Sequence, residues 1–419
     1  MHHHHLRSPQ MGEFVRWEDH SITCRVVVLC ATIGRSAPAL STTTTTILDM
    51  SGNFENLAVE IQDLILENLA GDQASLYQCL FLTRTTRRIA ERILYRHVSL
   101  TATRRRLMSF ANFIEASAAS SAPLHKYVKR LTVVCPYDMH TTRKACWHLR
   151  RVLRQLHRLE HFELVDDEGC DRQSDWLDRI NFLREITVPL RRFSWGRLIR
   201  LDGRDRVSQF LNKMPSIEYL ELTKMEPSSK LKLADDSLPR LRFLSSSSTL
   251  ATELVLTRNI KYLDTFGLNL NVKQEEEVPL ANRALKALSL HDIRAFPQYI
   301  DRLPNLRCIH LHSAHRDILE PEFITAFNAQ KIKHIRAWFT CEDEESVVVE
   351  LFEAVPSLRV VETEVLNDVV DVNVKTFERW ERGGSRSIGQ RSYAQGEEWH
   401  SGWEMEEYVD DCDPELERS

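Results

Sequence analysis

The chain has 419 residues, a formal net charge of -5, and a composition that is 42% hydrophobic and 27% charged. This length exceeds the size at which a single compact core usually stops growing, so we expect more than one folded unit. The slightly acidic balance argues against a chain-wide role in binding nucleic acid. Nine cysteines without a Cys-x-x-Cys pair argue against a disulfide or zinc framework and fit the cytoplasm or the nucleus.

Residues 1–49 precede the first regular pattern and are predicted to be a disordered extension. They contain a histidine run, a threonine run and one apolar stretch of only 8 residues, Val26 to Ile33. Acidic residues before that stretch argue against a signal peptide. A membrane helix needs roughly 18 uninterrupted apolar residues, so no membrane-spanning segment is expected.

Residues 50–100 are predicted to form a helical domain of three short helices. The first helix has an apolar stripe at helical spacing, formed by Ile61, Leu64, Ile65 and Leu69. Two further stripes follow, around Leu76 and around Ile93. A unit with so few apolar residues has a marginal core, so we expect it to bury apolar side chains against a partner or a flanking domain.

Two segments of this unit resemble the F-box of fungal F-box proteins: Leu57-Ala58-Val59-Glu60-Ile61 at its start and Ile93-Leu94-Tyr95-Arg96-His97-Val98-Ser99-Leu100 at its end. The resemblance implies docking on a Skp-type adaptor, which in turn holds a cullin-RING ubiquitin ligase. The adaptor-binding positions that it implies are Leu57, Ala58, Glu60, Ile61, Ile65, Leu76 and Leu82. An alternative interpretation is an N-terminal cap for the repeats that follow.

The sequence departs from the F-box pattern at two positions. Ala58 stands where the family prefers proline, and Thr86 stands where many members have tryptophan. Proline at that place only pre-sets a backbone angle. The tryptophan is one of the larger burial surfaces, so its replacement puts adaptor affinity in question even if the three-helix shape is kept.

A linker or cap, residues 101–125, precedes ten copies of a short apolar pattern within residues 126–377. The middle apolar positions lie 19 to 34 residues apart, which is close to the period of a leucine-rich repeat. They are Leu131, Phe162, Ile186, Leu220, Leu244, Leu263, Leu288, Ile309, Ile335 and Val361. We therefore predict an α/β fold in which the helical unit is followed by an irregular leucine-rich-repeat solenoid with a parallel sheet on its concave face.

Side chains alternate along a strand, so the residues beside each middle position are expected to face away from the core. Three consecutive repeats have an aromatic residue there, and we predict an exposed ladder that contacts a protein substrate. Strand propensity alone explains the same residues equally well. The predicted substrate-binding residues are Tyr219, Phe243, Tyr262, Phe266, His310, His312, His334 and Trp338.

No catalytic or metal centre is predicted. His310 and His312 share one strand face, but zinc sites usually add cysteine or carboxylate ligands at short fixed spacings, and solvent-facing histidines on the sheet explain the same pattern. The sequence also lacks phosphate-binding glycine motifs, the hydrolase elbow and the metalloprotease helix, so we expect neither an enzyme nor a cofactor. Residues 378–419 are predicted to be a disordered acidic tail, with ten carboxylates and one arginine from Glu397 to Ser419.

The family resemblance implies a substrate-receptor subunit of a Skp-cullin-F-box ubiquitin ligase. Its expected partners are the adaptor, through it the cullin-RING ligase, and an unidentified protein substrate, with no nucleic acid and no membrane. Partner subunits would catalyse ubiquitin transfer. The alternative is a non-enzymatic interaction scaffold of the same shape that does not join a ligase.

Overall fold

The computed structural model describes residues 54–70, 72–120, 123–135, 143–166, 181–196, 201–222, 231–265, 284–290, 296, 303–314, 316–339, 344–365 and 374–392. The predicted N-terminal extension and the acidic segment from Glu397 lie outside these residues. The chain divides into two compact units, one ending at Ala90 and the other beginning at Glu91. None of the helices in the described ranges combines the length and the apolar content that a bilayer crossing requires.

The first unit is helical. Its helices are α1, Val59–Glu67; α2, Gln73–Cys79; and α3, Arg84–Arg96, within which the boundary to the second unit falls. Asp72 begins α2, because its carboxylate accepts a hydrogen bond from the backbone N–H of Ser75 at 3.1 Å. Thr83 begins α3 in the same way, since its hydroxyl accepts from the backbone N–H of Thr86 at 3.1 Å.

The described part of the second unit forms one 13-stranded sheet whose strands are neighbours in chain order. Strands β1 to β11 are parallel, whereas β12 pairs antiparallel with both β11 and β13. The strands are β1 His97–Thr101, β2 Arg130–Cys135, β3 His161–Asp166, β4 Arg192–Trp195, β5 Tyr219–Leu222, β6 Phe243–Ser246, β7 Tyr262–Thr265, β8 Ala287–Leu290, β9 Cys308–Ala314, β10 His334–Phe339, β11 Val360–Val365, β12 Val374–Glu381 and β13 Ser385–Ser392. The predicted α/β fold with a long, mostly parallel sheet is confirmed.

Helices lie between several pairs of successive strands and contribute to a single core. They are α4 Arg104–Ala118, α5 Arg143–Gln155, α6 Leu201–Leu211, α7 Ser248–Thr257, α8 Pro321–Gln330 and α9 Glu344–Ala354. Leu131 from β2 and Leu107 from α4 belong to the same cluster of fully buried apolar side chains, as do Leu149 from α5 and Val361 from β11. Because side chains alternate along a strand, the other face of the sheet points away from this core.

A recurring backbone joint fixes the register of the sheet. The carbonyl of Lys129, just before β2, accepts the N–H groups of Glu160 and His161 at 2.8 and 2.9 Å. The same pair of hydrogen bonds recurs between the starts of successive strands, although the segments that connect the strands differ in length. We call this pair of hydrogen bonds the backbone joint. The carbonyls that accept two N–H groups in this way belong to Lys129, Glu160, Arg191, Glu218, Arg242, Lys261, Lys286, Arg307 and Lys333.

One predicted repeat position is wrong. The strand that corresponds to the third predicted repeat is β4, Arg192–Trp195, with Phe193 facing the core, and it does not contain Ile186. Ile186 and Leu183 are nevertheless buried at 4% and 2% exposure, beside a short 3-10 helical segment at residues 181–185. Their apolar spacing matches the repeat pattern because a tight helical turn and a buried strand can both place residues three apart in a core.

The sheet extends beyond the predicted repeat range at both ends. Strand β1 begins at His97, inside the segment predicted as helical, and pairs with β2. Helix α4 occupies most of the predicted linker 101–125. At the other end, β12 and β13 form a hairpin where the acidic tail was predicted to begin, and Gly383 and Gly384 at its turn have φ of 109° and 91°. Glycine adopts such angles without a side-chain clash.

Candidate functional site

The helical unit exposes large apolar side chains on α1 and on the segment from α2 to α3. Phe81 is 86% exposed, and the others lie between 44% and 63%. We call these side chains the exposed apolar set, which consists of Val59, Ile61, Leu64, Tyr77, Phe81 and Leu82. The buried core of the same unit is small, with Leu66, Leu76, Cys79 and Ile89 among its apolar members.

The residues predicted to bind an adaptor fall into three groups. Ala58, Glu60, Ile61 and Leu82 are exposed, and Leu57 and Ile65 are half-buried. Leu76 is only 1% exposed, so its side chain belongs to the core of the unit and is not available to a partner. The predicted adaptor-binding residues did not include Val59, Leu64, Tyr77 and Phe81. Leu64 was predicted to lie on the buried apolar stripe of the first helix, but the buried side chains of α1 are Gln62 and Leu66.

Thr86, at the position where many F-box proteins have tryptophan, is fully buried. Its hydroxyl lies 2.9 Å from the hydroxyl of Thr83. This threonine therefore completes the start of α3 and presents no side-chain surface to a partner. The difference from tryptophan removes a large apolar contact area without leaving a buried polar group unsatisfied.

On the sheet face away from the helices, the predicted aromatic residues do lie in one row. Tyr219, Phe243 and Tyr262 are register partners on β5, β6 and β7. The rings of Tyr219 and Phe243 stack with centroids 4.0 Å apart and planes inclined by 5°. The guanidinium of Arg192 lies 4.1 Å from the centroid of the Tyr219 ring on the other side.

The expectation that this aromatic row is exposed is wrong. Tyr219, Phe243 and Tyr262 are 2%, 5% and 3% exposed, and Ala287 and Cys308 continue the same buried cluster. Strands only about 4.8 Å apart bring side chains at the same register into contact, so flat rings cover one another. The row is an aromatic cluster on the sheet, and its faces are not open to a substrate.

The other predicted substrate-binding residues have different surroundings. His310 and His334 are buried, at 3% and 2% exposure, whereas the side chain of His312 is 32% exposed. The backbone of Trp338 lies in β10, but its side chain is outside the described part of the structure. Phe266 lies outside the described residues.

A second row on the same sheet face is polar, and sequence reasoning missed it as a row. The sequence feature that indicates this row is a polar residue directly after the middle apolar residue of each strand. We call it the polar row, and it consists of Thr132, Glu163, Ser194, Glu221, Ser245, Asp264, Ser289, His310, Arg336 and Glu362. All of these except Asp264 are at most 3% exposed.

Hydrogen bonds join neighbouring strands along the polar row. Near its start, the carboxylate of Glu163 accepts from the hydroxyl of Thr132 at 2.8 Å and from the guanidinium of Arg130 at 3.0 Å. The hydroxyl of Ser194 donates to the carboxylate of Glu221 at 2.7 Å. Buried polar groups of this kind stabilise the fold only when they have such partners.

The far end of the polar row has a buried ion pair. The guanidinium of Arg336 donates to the carboxylate of Glu362 at 2.6 and 2.9 Å, and both side chains are 1% exposed. The guanidinium of Arg379 on β12 lies 3.6 Å from the other oxygen of the same carboxylate. Two cations therefore face one buried carboxylate.

Burial shifts the pKa values of several groups on this face. It raises the pKa of Glu221 to about 7, although Ser194 and Arg192 oppose the shift. It lowers the pKa of His161 to about 4, with the charges of Arg192 and Arg130 acting in the same direction. For Asp264, burial acts to raise the pKa, but the hydrogen bond from His312 and the serine hydroxyls leave it below its usual range.

The contacts on this face do not form a hydrolytic triad. The Ser289 hydroxyl lies 2.9 Å from Nε2 of His312, and the Asp264 carboxylate lies 3.4 Å from the same nitrogen. A serine-histidine-aspartate triad needs its serine and its carboxylate on opposite ring nitrogens. Within the described residues no three histidine, cysteine or carboxylate side chains are grouped as metal ligands would be. The described contacts are those of a hydrogen-bonded network.

Comparison with known proteins gives no family. No protein-family model matches the chain, and no curated protein matches it. A solved structure of a Bacteroides fragilis protein is 12% identical, covering 61% of this chain and 71% of that chain with a TM-score of 0.27. A PfkB family carbohydrate kinase from Listeria grayi is 10% identical, covering 51% and 69% with a TM-score of 0.22. Both scores are too low to indicate a shared fold.

Proposed function

We propose that the chain is a substrate-receptor subunit of a Skp-cullin-F-box ubiquitin ligase. In this proposal the helical unit is an F-box-like module that binds a Skp-type adaptor. The repeated strands and helices of the second unit form a leucine-rich-repeat solenoid that binds a protein substrate. The receptor then raises the effective concentration of its substrate beside the ubiquitin-transferring subunits and performs no chemistry itself.

The exposed apolar set is the observation that carries the proposal. Isolated exposed apolar residues are normal on proteins, but this small unit exposes six large ones within residues 59–82. A core as small as the one around Leu66 and Leu76 stabilises an isolated unit only marginally. Burying Ile61, Leu64 and Phe81 against an adaptor removes apolar surface from water, at roughly 25 cal/mol per Å².

The proposal is tested by a pull-down with a purified Skp-type adaptor. The double substitution Ile61→Asp and Leu82→Asp places two charges in the exposed apolar set while leaving the buried residues unchanged. We expect the intact chain to retain the adaptor and the double variant to lose at least about 90% of it, because a charge desolvated at an interface costs several kcal/mol.

The matched control carries Trp147→Asp and Val349→Asp, two exposed apolar positions on α5 and α9 that are 54% and 47% exposed. It receives the same change in charge and should bind the adaptor like the unsubstituted chain. Failure of the intact chain to bind the adaptor would favour the alternative, an interaction scaffold that does not join a ligase. The substitution of tryptophan by Thr86 is the sequence feature that favours this alternative.

A further inference from the structure

A column of charged residues runs along the edge of the sheet where the parallel strands begin. It is formed by the residue just before each parallel strand, whose carbonyl accepts a backbone hydrogen bond from the next position of the column. The column begins with Arg96, before β1, and alternates in sign over the four positions from β2 to β5. Lys129 pairs with Glu160 at 2.8 Å, and Arg191 pairs with Glu218 at 2.9 Å, so these four positions neutralise one another.

From β6 onward the same column contains only cations. We call this part the cationic stripe. Its first six members, each just before a parallel strand, are Arg242, Lys261, Lys286, Arg307, Lys333 and Arg359. The seventh is Arg382, which follows the antiparallel strand β12 and lies at the same edge. The backbone bonds from Lys261 to Arg242 and from Arg382 to Arg359 show that the register is kept along it, at 2.8 and 2.9 Å. Neighbouring strands are about 4.8 Å apart, so the backbones of seven basic residues follow one another along the edge at about that spacing.

Five members of the cationic stripe have no carboxylate partner in the described ranges. Lys261, Lys286 and Arg359 take part in no ion pair there. The guanidinium of Arg307 donates to the carbonyl of Gln330 at 2.8 Å, and that of Arg382 donates to the carbonyl of Val355 at 2.6 Å. Bonds to carbonyls hold these two side chains in place but leave their charge uncompensated.

The front of the column shows how a glutamate at alternate positions neutralises such an edge. No glutamate or aspartate occupies any of the seven positions of the cationic stripe. Like charges this close repel one another, because salt largely screens only charges that are farther apart than about 8 to 10 Å. An extended polyanion lying along the edge would relieve this repulsion at several positions together.

The surroundings of the stripe favour an acidic polypeptide over a nucleic acid. Proteins that bind single strands place exposed aromatic rings beside their basic groove for the bases to stack on. The aromatic residues next to this stripe, Phe243 and Tyr262, are buried at 5% and 3% exposure and offer no such platform. Carboxylates of an extended polypeptide need only flexible lysine and arginine side chains within reach.

The chain itself contains a segment with the required composition. Residues 397–419 have ten carboxylates and one arginine. The segment follows β13 in the chain, and 27 residues after Ser392 can extend over roughly 90 Å, which is ample to reach the cationic stripe. Covalent attachment also gives it a high effective concentration.

We propose that the cationic stripe binds acidic polypeptide segments, and that residues 397–419 of the same chain occupy it. An acidic partner protein then has to compete with this segment. The inference is independent of the adaptor proposal, because the stripe lies in the second unit and the exposed apolar set lies in the first.

The test uses a fluorescent peptide of residues 397–419 and the full-length chain. In one form of the chain, the ten carboxylates of that segment are replaced by their amides, so that it no longer competes. Fluorescence anisotropy at about 50 mM salt, where surface charges are weakly screened, measures binding. We expect this form to bind the peptide, the unsubstituted chain to bind it at least about tenfold more weakly, and raised salt to abolish binding.

Two variants of the amide form locate the site. Lys261→Gln, Lys286→Gln and Arg359→Gln together should weaken binding about tenfold, since each removes one charge contact. The matched control, Arg88→Gln, Arg105→Gln and Arg158→Gln, removes three exposed cations elsewhere and should leave binding unchanged.

Three results would overturn the inference. They are equal losses in both triple variants, equal binding by the unsubstituted chain and the amide form, and tighter binding of a single-stranded oligonucleotide of similar length and charge than of the peptide. A peptide with all its carboxylates replaced by amides should not bind, and binding by it would also contradict a charge-based site.

Discussion

Burial decides the protonation of single residues on the sheet face away from the helices. Glu221 is 2% exposed and accepts a hydrogen bond from the neutral hydroxyl of Ser194 at 2.7 Å. Glu362 is buried as deeply but has the guanidinium of Arg336 at 2.6 Å. Burial favours the neutral form of a carboxyl group and a bound guanidinium favours its charged form, so these two buried glutamates of one row have different electrostatic surroundings.

The pKa of Glu221 predicts how stability depends on pH. Its folded-state pKa of about 7 lies above the usual glutamate pKa of 4.5, so between these two values the folded protein holds a proton that the unfolded chain has lost. Unfolding then becomes easier as pH rises from about 4.5 to 7. We expect Glu221→Gln to abolish this part of the pH dependence and to stabilise the protein by about 2 to 3 kcal/mol at pH 8.

Urea unfolding of both proteins at several values of pH checks this expectation. The control is Glu218→Gln, which removes a partly exposed carboxylate from a surface ion pair with Arg191. Surface pairs contribute about 0 to 1 kcal/mol, so this variant should keep the pH dependence of the unsubstituted chain. If Glu221→Gln shows the same slope as that control, the buried carboxyl group is not protonated in the way described.

At the scale of elements, the sequence predicted strands correctly where the chain is buried on both faces. The prediction of a strand was wrong where a buried 3-10 turn has the same apolar spacing. Strands around Leu131, Leu244 and Ile335 were predictable, because parallel strands in a core read as short aliphatic runs. Ile186 was misassigned because a buried 3-10 turn has similar spacing. The signal for the real strand was aromatic, at Phe193 and Trp195.

Helix α4 was not predicted from the sequence, although local signals for a helix are present. Helix α4 lies in an alanine-rich segment and begins at Thr103, whose hydroxyl accepts from the backbone N–H of Arg106 at 3.2 Å. Alanine is the strongest helix former and threonine is a common helix start, so both signals were available. The burial of Tyr219 and Phe243 was not predictable, because it depends on contacts between residues 24 positions apart in the chain.

The hairpin of β12 and β13 should be sensitive to its turn. Gly383 has φ of 109°, and a Cβ added there would meet no atom within 4 Å. The cost of a side chain is therefore one of backbone strain alone, about 1 to 3 kcal/mol. We expect Gly383→Val to speed amide hydrogen exchange in β12 and β13 by about tenfold while leaving β2 to β8 unchanged.

Ser387→Ala, in the exposed part of β13, is the control for this substitution. It changes a side chain of the same hairpin without requiring an unusual backbone angle. Exchange in the hairpin should then match that of the unsubstituted chain. Unchanged exchange in Gly383→Val would mean that the turn does not limit opening of the hairpin.

At the scale of the whole molecule, the parallel sheet is finished by an antiparallel hairpin. Without it, β11 would present unpaired backbone groups beside the fully buried Val361. The outer strand β13 is rich in serine and arginine, and polar edge strands disfavour pairing with a second chain. The hairpin therefore protects the last parallel strand.

Two truncated chains test this protective role. A chain ending at residue 373 loses the hairpin and should associate with itself at micromolar concentration, because an uncovered strand edge pairs readily. A chain ending at residue 392 keeps the hairpin and should remain monomeric. Sedimentation velocity over a range of concentrations distinguishes them, and identical behaviour of the two chains would show that the hairpin is not needed to protect β11.

The backbone joint at the strand entries has a consequence for how such a chain changes over generations. Each joint uses only the carbonyl of one residue and the N–H groups of two others, so it does not depend on side-chain identity. A duplicated or excised copy spliced between two joints would therefore keep its neighbours aligned. Recombination within the gene would then change the number of strands, and therefore the length of the sheet, while the remaining copies keep their hydrogen bonds.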